Sequence, residues 1–537
     1  MNQLATAEKA APTLPSDRAF FSHPAGLLTL FFAEMWERFS YYGMRAILIL
    51  FMTMMTAEHA EELRQAGESV DPARMGGLGF ADAKAGVIYA LYTSLVYFVG
   101  LAGGWLADNI LGQQRAVFWG GVVIMLGHIS LAFHGLPFFF AGLALIIVGT
   151  GLLKPNISTI VGQLYTPTDV RRDSGFAIYY MGINIGSFFG QTVCGFFAQH
   201  SWFKDHVLGP LGIASTASWH WGFAAAAVGM FFGLVVFVWK GNLMVGAGLR
   251  PTPPANEAEV RRRKFILQCL IAAVAALPVA GFGIYASGVS ISAEVIGIAF
   301  GVLLLVLTLV SFARIFFSAE FNTEERRRLT VVVILFCASV LFWGAFEQAG
   351  GSLNLFAERK SALMIGGMDF PSSWYQNINP FGIMVLSPVF AFMWLKLGER
   401  APSSPAKFSL GLLLVGAGFI LAALGSSEFD RSQERISVLW LTSVYVTHTV
   451  GELCLSPIGL SMVTKLSPRR AVSQVMSIWF LANADANFLA GQTVVLSDRF
   501  KLSDTQIYWS IAAVTIAAGI VLAAMAEPIK RLMGGVK

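Results

Sequence analysis

Long apolar segments alternate with short polar segments along most of the chain, and this alternation predicts a series of membrane-spanning helices. A helix needs about 20 mainly apolar residues to cross a bilayer. Segments of this kind lie near residues 25–56, 83–107, 116–133, 137–163, 174–198, 218–240, 265–288, 291–317, 330–357, 375–397, 406–425, 437–464, 472–496 and 505–531. The pattern therefore predicts an all-α integral membrane protein with about fourteen transmembrane helices.

Two basic segments divide the predicted helices into groups of six, two and six. We expect a cytoplasmic tail at 1–24, a six-helix bundle at 25–240, a basic cytoplasmic linker at 241–264, two inserted helices at 265–317, a second basic linker at 318–329, a second six-helix bundle at 330–531 and a cytoplasmic tail at 532–537. The inserted pair carries only Glu294 and Arg314, both near helix ends, which favours a structural addition. Two similar bundles around a polar midplane are typical of transporters.

The composition agrees with a membrane protein. Of the 537 residues, 55 % are hydrophobic and 13 % are charged, whereas soluble domains are nearer one quarter charged. So few charges exclude a nucleic-acid-binding protein, a disordered chain and an ordinary cytosolic enzyme. The four cysteines lie in apolar runs without a CxxC pair, which indicates small buried hydrophobic residues.

The loops between the predicted helices differ in charge, and this difference predicts the orientation. One set is basic, at Arg115, Arg171, Arg172, the two linkers, Lys396–Lys407, Lys465–Arg470 and Lys530–Lys537, whereas the first loop of the other set carries Glu58, Glu61, Glu62, Glu68 and Asp71. Basic loops stay on the cytoplasmic side of a membrane. Both termini are therefore expected in the cytoplasm, and the net charge of +5 reflects these loops.

The first predicted helix carries four charges within twelve residues, namely Glu34, Glu37, Arg38 and Arg45. A charge at the bilayer centre costs about 2.5–3.5 kcal/mol on insertion scales, so these groups must pair or face water. Glu34 and Arg38 are spaced i, i+4 and can form an ion pair. The cluster either locks two helices together or belongs to a functional site, and its density favours function.

Further charges at membrane depth divide by sign between the two bundles. Lys154 lies in the fourth helix, where Pro155 and nearby glycines permit a local break, whereas Glu347 and Glu452 lie in the second bundle without a basic neighbour at i±3 or i±4. Lys154 alone could merely balance a buried glutamate. A positive half facing a negative half suits a zwitterion whose ends are held apart. A di- or tripeptide, at about 3.3–3.6 Å per residue, has that reach.

Polar and aromatic side chains in the same helices are candidates for the walls of such a site. Tyr41, Tyr42, Tyr97, Asn184 and Asn379 could satisfy a peptide bond, and Trp343 and Trp479 could line side-chain pockets. Each could instead serve helix–helix packing. His128 and His448 are better explained by packing than by proton transfer.

Protons are an adequate energy source for such a carrier. Forming and breaking an ion pair changes the proton affinity of a buried carboxylate. One proton moving down 100 mV releases about 2.3 kcal/mol, which exceeds the roughly 1.4 kcal/mol of a tenfold accumulation. No glycine-rich phosphate loop is present, which disfavours ATP as the driver.

Several motifs resemble those of one transporter family. Residues 34–42 read Glu34-x-x-Glu37-Arg38-Phe39-x-Tyr41-Tyr42, similar to the ExxERFxYY motif of the proton-dependent oligopeptide transporters, the peptide transporter branch of the major facilitator superfamily. Gly103-Gly104, Asp108, Gly112 and Arg115 resemble the superfamily motif in which a charge pair latches a turn, although Asn109 stands where a basic residue is common. Tyr179 to Gly186 resembles FYxxINxG, and Phe346-Glu347-Gln348 and Gly451-Glu452-Leu453 extend the resemblance across nearly the whole chain.

The resemblance implies a major facilitator fold with two inserted helices, as in bacterial members, and therefore a bacterial inner-membrane location. It also implies roles. Glu34, Glu37, Arg38, Lys154 and Glu347 would serve proton coupling, and Arg45, Tyr41, Tyr42, Tyr97, Lys154, Asn184, Trp343, Asn379, Glu452 and Trp479 would bind substrate. Arg45 and Lys154 would hold the peptide carboxylate, Glu452 the amino terminus, and Glu347 would pair with Arg45. The second helix lacks a histidine that mammalian relatives have there, which moves proton coupling to carboxylates.

The sequence therefore predicts a proton-coupled importer of di- and tripeptides working by alternating access. The expected partners are peptides, protons and the lipid bilayer, with no nucleic acid and no cofactor or metal other than the proton, and the chain is expected to act as a monomer. Three alternatives remain: a carrier of the same fold for another small anion or drug-like solute, a peptide sensor that does not transport, and an intramembrane enzyme. The last would need a nucleophile–base pair or a metal cluster, and the sequence shows neither.

Overall fold

The computed structural model describes residues 19–66, 75–166, 168–286, 292–318, 320–468 and 470–534. Of the predicted features, Glu68, Asp71, most of the N-terminal tail and the end of the C-terminal tail lie outside these residues.

Within the described residues, fourteen helices are long enough to form the predicted series. They are α1 (Gly26–Thr53), α3 (Asp82–Leu106), α4 (Gln113–Leu131), α5 (Leu136–Gln163), α6 (Arg172–Gln199), α8 (Ser218–Trp239), α9 (Glu257–Ala286), α10 (Ala293–Phe316), α11 (Thr323–Phe346), α13 (Ile378–Leu397), α14 (Ser404–Ser432), α15 (Val438–Leu466), α16 (Val472–Phe500) and α17 (Asp504–Ala524). Judged by length and composition alone, ten helical segments of the described residues are long and apolar enough to cross a membrane. The helices α1, α6 and α16 contain more charged or polar residues.

Shorter elements connect the long helices. They are α2 (Ala57–Gln65), α7 (Ser201–Phe203), α12 (Ser352–Lys360), α18 (Ala526–Leu532), a π-helical turn at Ala107–Leu111 after α3, a second at Lys204–Leu208, 3₁₀ turns at Ser215–Ala217, Gly241–Met244, Glu347–Gly350, Ser372–Asn377 and Gly398–Arg400, and the antiparallel strands β1 (Met364–Ile365) and β2 (Met368–Asp369).

Local sequence explains where several helices begin. Asn322 and Glu325 form a reciprocal capping box at the start of α11, which satisfies amide groups that the first helical turn leaves unpaired. Gly112 separates the π-helical turn from α4 with φ of +82°, a conformation that glycine adopts without steric cost.

The structure corrects several of the predicted boundaries, including the end of α14, which lies at Ser432 rather than near residue 425. α9 and α11 begin at Glu257 and Thr323, each before the predicted span, because the basic linker residues are helical outside the bilayer and pair locally, as Arg263 does with Glu259 at 2.5 Å. The predicted ninth span is interrupted by the 3₁₀ turn at Glu347–Gly350, and the last one ends at Ala524 before α18.

The proline of the fourth predicted helix does not interrupt it. α5 runs unbroken from Leu136 to Gln163 through Pro155. The side chain of Asn156 donates a hydrogen bond of 2.6 Å to the Leu152 carbonyl one turn away. Pro155 removes only the N–H group that would have paired with the Gly151 carbonyl, and the helix continues past it.

The apolar core is divided between two halves. One cluster of buried side chains comes from residues 315–533, and two others come from residues 27–244 together with Leu355. In the first half α1 packs on α6 and α8, and in the second α14 packs on α15 and α17. The halves meet mainly where α3 packs on α16, and α10 of the inserted pair also contacts both of these helices.

Glycines allow α1 and α6 to approach closely. A Cβ atom added at Gly186 would lie 2.0 Å from the Met35 carbonyl oxygen, and one added at Gly190 would lie 2.2 Å from that of Phe39. Small residues at a membrane helix interface permit such backbone contact. This contact positions the charged face of α1.

We expect Gly186→Ala to destabilise the protein by about 1–3 kcal/mol, as overpacking of a tight interface does. The methyl group has no free space, so α1 and α6 would have to separate. The measurement is the thermal unfolding midpoint of the purified protein in detergent. Gly100→Ala is the matched control, because no atom lies within 4 Å of its added Cβ, and equal midpoints for the two variants would contradict this account.

A charged cavity between two helical bundles

A cavity lies between the two halves, and both contribute to its wall. The first half provides Glu34, Arg38, Tyr42, Arg45, Tyr97, Lys154, Tyr180, Ile183, Asn184, Ser187 and Gln191, and the second provides Trp343, Phe346, Glu347, Ala349, Gln376, Asn379, Tyr445, His448, Glu452, Ser456 and Asn483. Polar groups at membrane depth thus face one shared space rather than lipid, as the cost of burying them requires.

On α1, one arginine contacts two carboxylates. Arg38 Nε donates a hydrogen bond of 2.8 Å to Glu34 Oε1, the i, i+4 pair that the sequence predicts. It also lies 2.6 Å from Glu37 Oε2, although neither oxygen of Glu37 has a well-directed hydrogen bond. Glu37 is completely buried. The cluster therefore compensates the arginine charge but leaves Glu37 weakly held.

One end of the cavity is closed by an ion pair between the halves. Arg45 of α1 pairs with Glu347 of the 3₁₀ turn and donates a hydrogen bond of 2.6 Å to the Tyr89 hydroxyl. A Cβ atom at Gly350 would lie 1.8 Å from that hydroxyl oxygen. The glycine thus allows the turn to reach α3 and present Glu347 to Arg45.

Further contacts join the halves at this closed end. Arg359 makes a two-pronged ion pair with Asp82, with N–O distances of 2.5 and 2.7 Å. Gln199 donates a hydrogen bond of 2.8 Å to Ser372. Among the described residues, every hydrogen bond or ion pair between the first and second bundles lies at the cavity or between it and this end. Within the described part of the chain, the polar contacts between the bundles are therefore concentrated at one end of the cavity.

Two charged groups in the cavity have no partner of opposite charge within 4.0 Å among the described residues. Glu452 accepts hydrogen bonds from Asn379 at 2.9 Å and from Tyr180 at 3.4 Å, but no cation contacts it. The Lys154 ammonium lies 3.7 Å from the centroid of the Tyr97 ring, and no carboxylate contacts it. An unpaired anion of one half and an unpaired cation of the other thus face the same space.

Comparison with known proteins identifies the family. The model of the POT family matches residues 114–510. The chain belongs to the POT family. It is therefore a multi-pass membrane protein with the major facilitator fold, in which two six-helix bundles carry two inserted helices.

Relatives and solved structures match over nearly the whole chain. A di-/tripeptide transporter from Lactococcus lactis subsp. cremoris is 37 % identical, over 97 % of this chain and 99 % of its own length. A crystal structure of a peptide transporter POT in complex with sulfate is 39 % identical, with a TM-score of 0.83 over 96 % of this chain and 97 % of that one. A POT family transporter in complex with 5-aminolevulinic acid is 34 % identical, with a TM-score of 0.83 over 96 % and 98 %.

Three residues expected to serve the POT-family site lie outside the cavity wall. Tyr41 and Glu37 are buried behind the cavity-facing side of α1. Trp479 packs in the core of the second half, against Gly459. An aromatic residue in a helix fits a core or a cavity equally well, so the sequence could not assign the face. The remaining predicted coupling and binding residues line the cavity.

The turn between α3 and α4 is held differently from the latch expected for the family motif. Arg115 is exposed and forms no ion pair with Asp108 within the described residues. Instead Gln113 donates a hydrogen bond of 2.8 Å to Asp108. Gly103 fulfils the expected packing role, since its Cβ would lie 2.0 Å from the Gly151 carbonyl oxygen.

The structure adds cavity residues that sequence reasoning missed. Tyr180, Gln191, Gln376, Tyr445 and Asn483 all line it. Asn483 belongs to a polar run in the middle of α16, a signal that could have identified it. Tyr180 lies within the motif-like stretch from Tyr179 to Gly186, which was a second signal. Gln191, Gln376 and Tyr445 carry no such signal, because single polar residues also occur at helix interfaces.

The Arg38 cluster leads to a stability prediction. Arg38→Gln leaves two buried carboxylates without a cation, and breaking a buried pair in this way costs about 3–5 kcal/mol. Adding Glu34→Gln and Glu37→Gln removes the uncompensated charges, so the triple variant should recover much of the loss. The unfolding midpoint of each purified variant measures this. An Arg38→Gln protein that melts at the wild-type temperature would rule out this pairing.

Proposed function

We propose that this protein imports di- and tripeptides together with protons. The observation that carries the proposal is the pair of unpaired charges facing one cavity, Lys154 from the first half and Glu452 from the second. A peptide zwitterion supplies the matching groups, its carboxylate for Lys154 and its ammonium for Glu452. Asn184 and Asn379, which also line the cavity, would receive the peptide backbone.

The names of the relatives support peptides as the substrate class. The Lactococcus relative is named a di-/tripeptide transporter, and the solved neighbour is named a peptide transporter. A peptide bound between the halves would contact both and would favour their closure around it. This coupling of binding to closure is the basis of alternating access in the proposal.

The same charges offer a route for proton coupling. Protonation of Glu347 would release Arg45 and weaken the closed end, and the freed guanidinium would be available to the peptide carboxylate. Glu37, whose oxygens have no well-directed hydrogen bond, is the carboxyl of the Glu34–Arg38 cluster best placed to carry a proton. Protonation of Glu37 would remove its attraction for the positive charges of Lys154 and Arg38.

Orientation and partners follow from the loops in this proposal. With the basic loops in the cytoplasm, both termini are cytoplasmic, and the closed end faces outward. The protein would act as a monomer in the bacterial inner membrane, with the proton as its coupling ion and no further cofactor. We propose transport rather than catalysis.

A second candidate is a carrier for another small charged solute. One neighbour of 34 % identity is described in complex with 5-aminolevulinic acid, so the cavity type is compatible with non-peptide ligands. Competition of labelled dipeptide uptake by free amino acids, nitrate and longer peptides separates the two candidates. A binding protein that does not transport would show peptide binding without accumulation.

The main experiment measures proton movement in proteoliposomes. Adding a dipeptide or tripeptide outside should make the external medium more alkaline, whereas a tetrapeptide should give a much smaller response. Glu452→Gln and Lys154→Ala should each abolish uptake driven by a pH gradient, because each removes one end of the charge pair.

Glu428→Gln is the matched control for that experiment. Glu428 is also a carboxylate of the second half, but it accepts a hydrogen bond from Trp440 away from the cavity. This variant should transport normally. Full uptake by both Glu452→Gln and Lys154→Ala would reject the assignment of these two residues.

The closed end gives a separate prediction. In a protein carrying Ala349→Cys in the cavity wall, Glu347→Gln should raise labelling by a membrane-impermeant thiol reagent from outside several-fold. The reason is that a neutral amide no longer binds the Arg45 charge. Labelling in intact cells measures this, with Glu428→Gln in the same background as the control. Unchanged labelling would show that the Arg45–Glu347 pair does not hold this end closed.

A further inference from the structure

One face of α16 packs along the inserted helix α10, and this contact contains a carboxyl group. The paired residues along it are Glu294 with Arg499, Phe300 with Phe488, and Thr308 with Asp485. Gln492 also faces α10, because a Cβ atom added at Gly297 would lie 3.9 Å from its Nε2. Positions 485, 488, 492 and 499 of α16 are three, four and seven residues apart and so share one helical face. The Thr308 hydroxyl donates a hydrogen bond of 3.0 Å to Asp485 Oδ2.

Two glycines place α10 close to its neighbours. A Cβ atom at Gly301 would lie 2.5 Å from the Phe488 ring of α16, and one at Gly297 would lie 3.0 Å from Val87 of α3. Glycines four residues apart are typical of close helix packing in membranes. α10 is therefore seated between α3 and α16, and the Thr308–Asp485 contact is part of a built interface.

Asp485 lies in the middle of its helix but not in the substrate cavity. It is 13 residues from the first residue of α16, Val472, and 15 from the last, Phe500. Asn483 of the same helix lines the cavity. At about 100° of rotation per residue, two further residues turn the side chain by roughly 200°. Asp485 thus faces the inserted helix, opposite to the cavity.

The charged and titratable groups of the packed helices point elsewhere. On α3, Tyr97 lines the cavity, Tyr89 accepts a hydrogen bond from Arg45, Tyr92 packs in the core of the first half, Asp82 pairs with Arg359 and Lys84 lies over the Phe80 ring. On α15, Tyr445, His448 and Glu452 line the cavity, and on α11 the stretch between Leu329 and Phe346 contains only Cys337. On α17, Asp504 and Tyr508 lie in the first turns, and on α10 Arg314 is exposed six residues beyond Thr308. No cation lies within 4.0 Å of Asp485 among the described residues. A charge at this depth costs about 2.5–3.5 kcal/mol, and a single hydroxyl is its only hydrogen-bond partner there.

We propose that Asp485 is a second proton-binding carboxyl, separate from the substrate cavity, and that Thr308 of the inserted helix positions it. The proton comes from bulk water and forms an O–H bond on Oδ1, while Oδ2 accepts the Thr308 hydrogen bond. Binding of this proton removes the uncompensated charge from the interface. Protonation itself does not depend on peptide transport, whereas its use in the transport cycle rests on the proposed proton coupling.

The proposed site gives the inserted helix α10 a role in the packing of the two halves. With Asp485 protonated, α10 and α16 pack through a neutral hydrogen bond. Loss of the proton places an unpaired charge in the contact and favours separation of the two helices. Because α16 also packs on α3 of the other half, the proton on Asp485 stabilises the seam along which the halves meet.

Infrared spectroscopy of the full protein in lipid nanodiscs, without peptide or gradient, tests the proposal. At neutral pH the wild type should show a C=O stretching band of a protonated carboxylic acid that Asp485→Asn lacks. Thr308→Val, which removes the hydroxyl but keeps the shape, should shift this band to higher frequency. Asp498→Asn, at the exposed end of the same helix, is the control and should leave the band unchanged. Thermal unfolding of each variant shows that it is folded.

Two results would overturn the proposal. A wild-type minus Asp485→Asn difference spectrum without a protonated-carboxyl band would mean that the side chain is ionised. A band that stays at the same frequency in Thr308→Val would remove Thr308 as the positioning residue. A failure of proteoliposome transport with the band intact would count against the proposed function and not against this site.

Discussion

The structure depends on the requirement that every charge at bilayer depth has a partner or faces water. α1 carries four such charges, and each has a partner: Arg38 contacts Glu34 and Glu37 within the helix, and Arg45 pairs with Glu347 of the other half. Burial of the Arg38 cluster requires α1 to lie against its neighbours such as α6, and the Arg45 pair requires α1 to lie beside the second half. The glycine contacts of α6 permit the first arrangement, and Gly350 permits the second.

Paired and unpaired charges then have different consequences. The paired set holds one end of the cavity closed, through Arg45 with Glu347 and Arg359 with Asp82. The unpaired set, Lys154 and Glu452, remains available to a ligand. In the proposed mechanism, a ligand that satisfies both charges would draw the halves together, and one that competes for Arg45 would loosen the closed end. Binding and opening would thus act on the same few ionic contacts, which is what coupled transport requires.

The sequence predicted some features well because they are local. Most helix bounds agree with the apolar pattern to within a few residues, and the Glu34–Arg38 pair follows from i, i+4 spacing. The prediction from sequence was wrong where a helix extends beyond its apolar segment, as in the basic first turns of α9 and α11. It also could not assign a face to Tyr41 or Trp479, since both a core and a cavity accept aromatic rings, and it passed over Asp485 entirely.

By itself the sequence determined the class of fold, the series of helices, the family motifs and the sign of the charge in each half, because these depend on residue type and short spacing. Only the tertiary structure decided which charges are paired. Arg45 and Glu347 are 302 positions apart in the sequence, and Thr308 and Asp485 are 177 positions apart. Such contacts arise from helix packing, which local spacing does not encode. That packing left Lys154 and Glu452 without a counter-charge and gave the inserted helix a carboxyl partner.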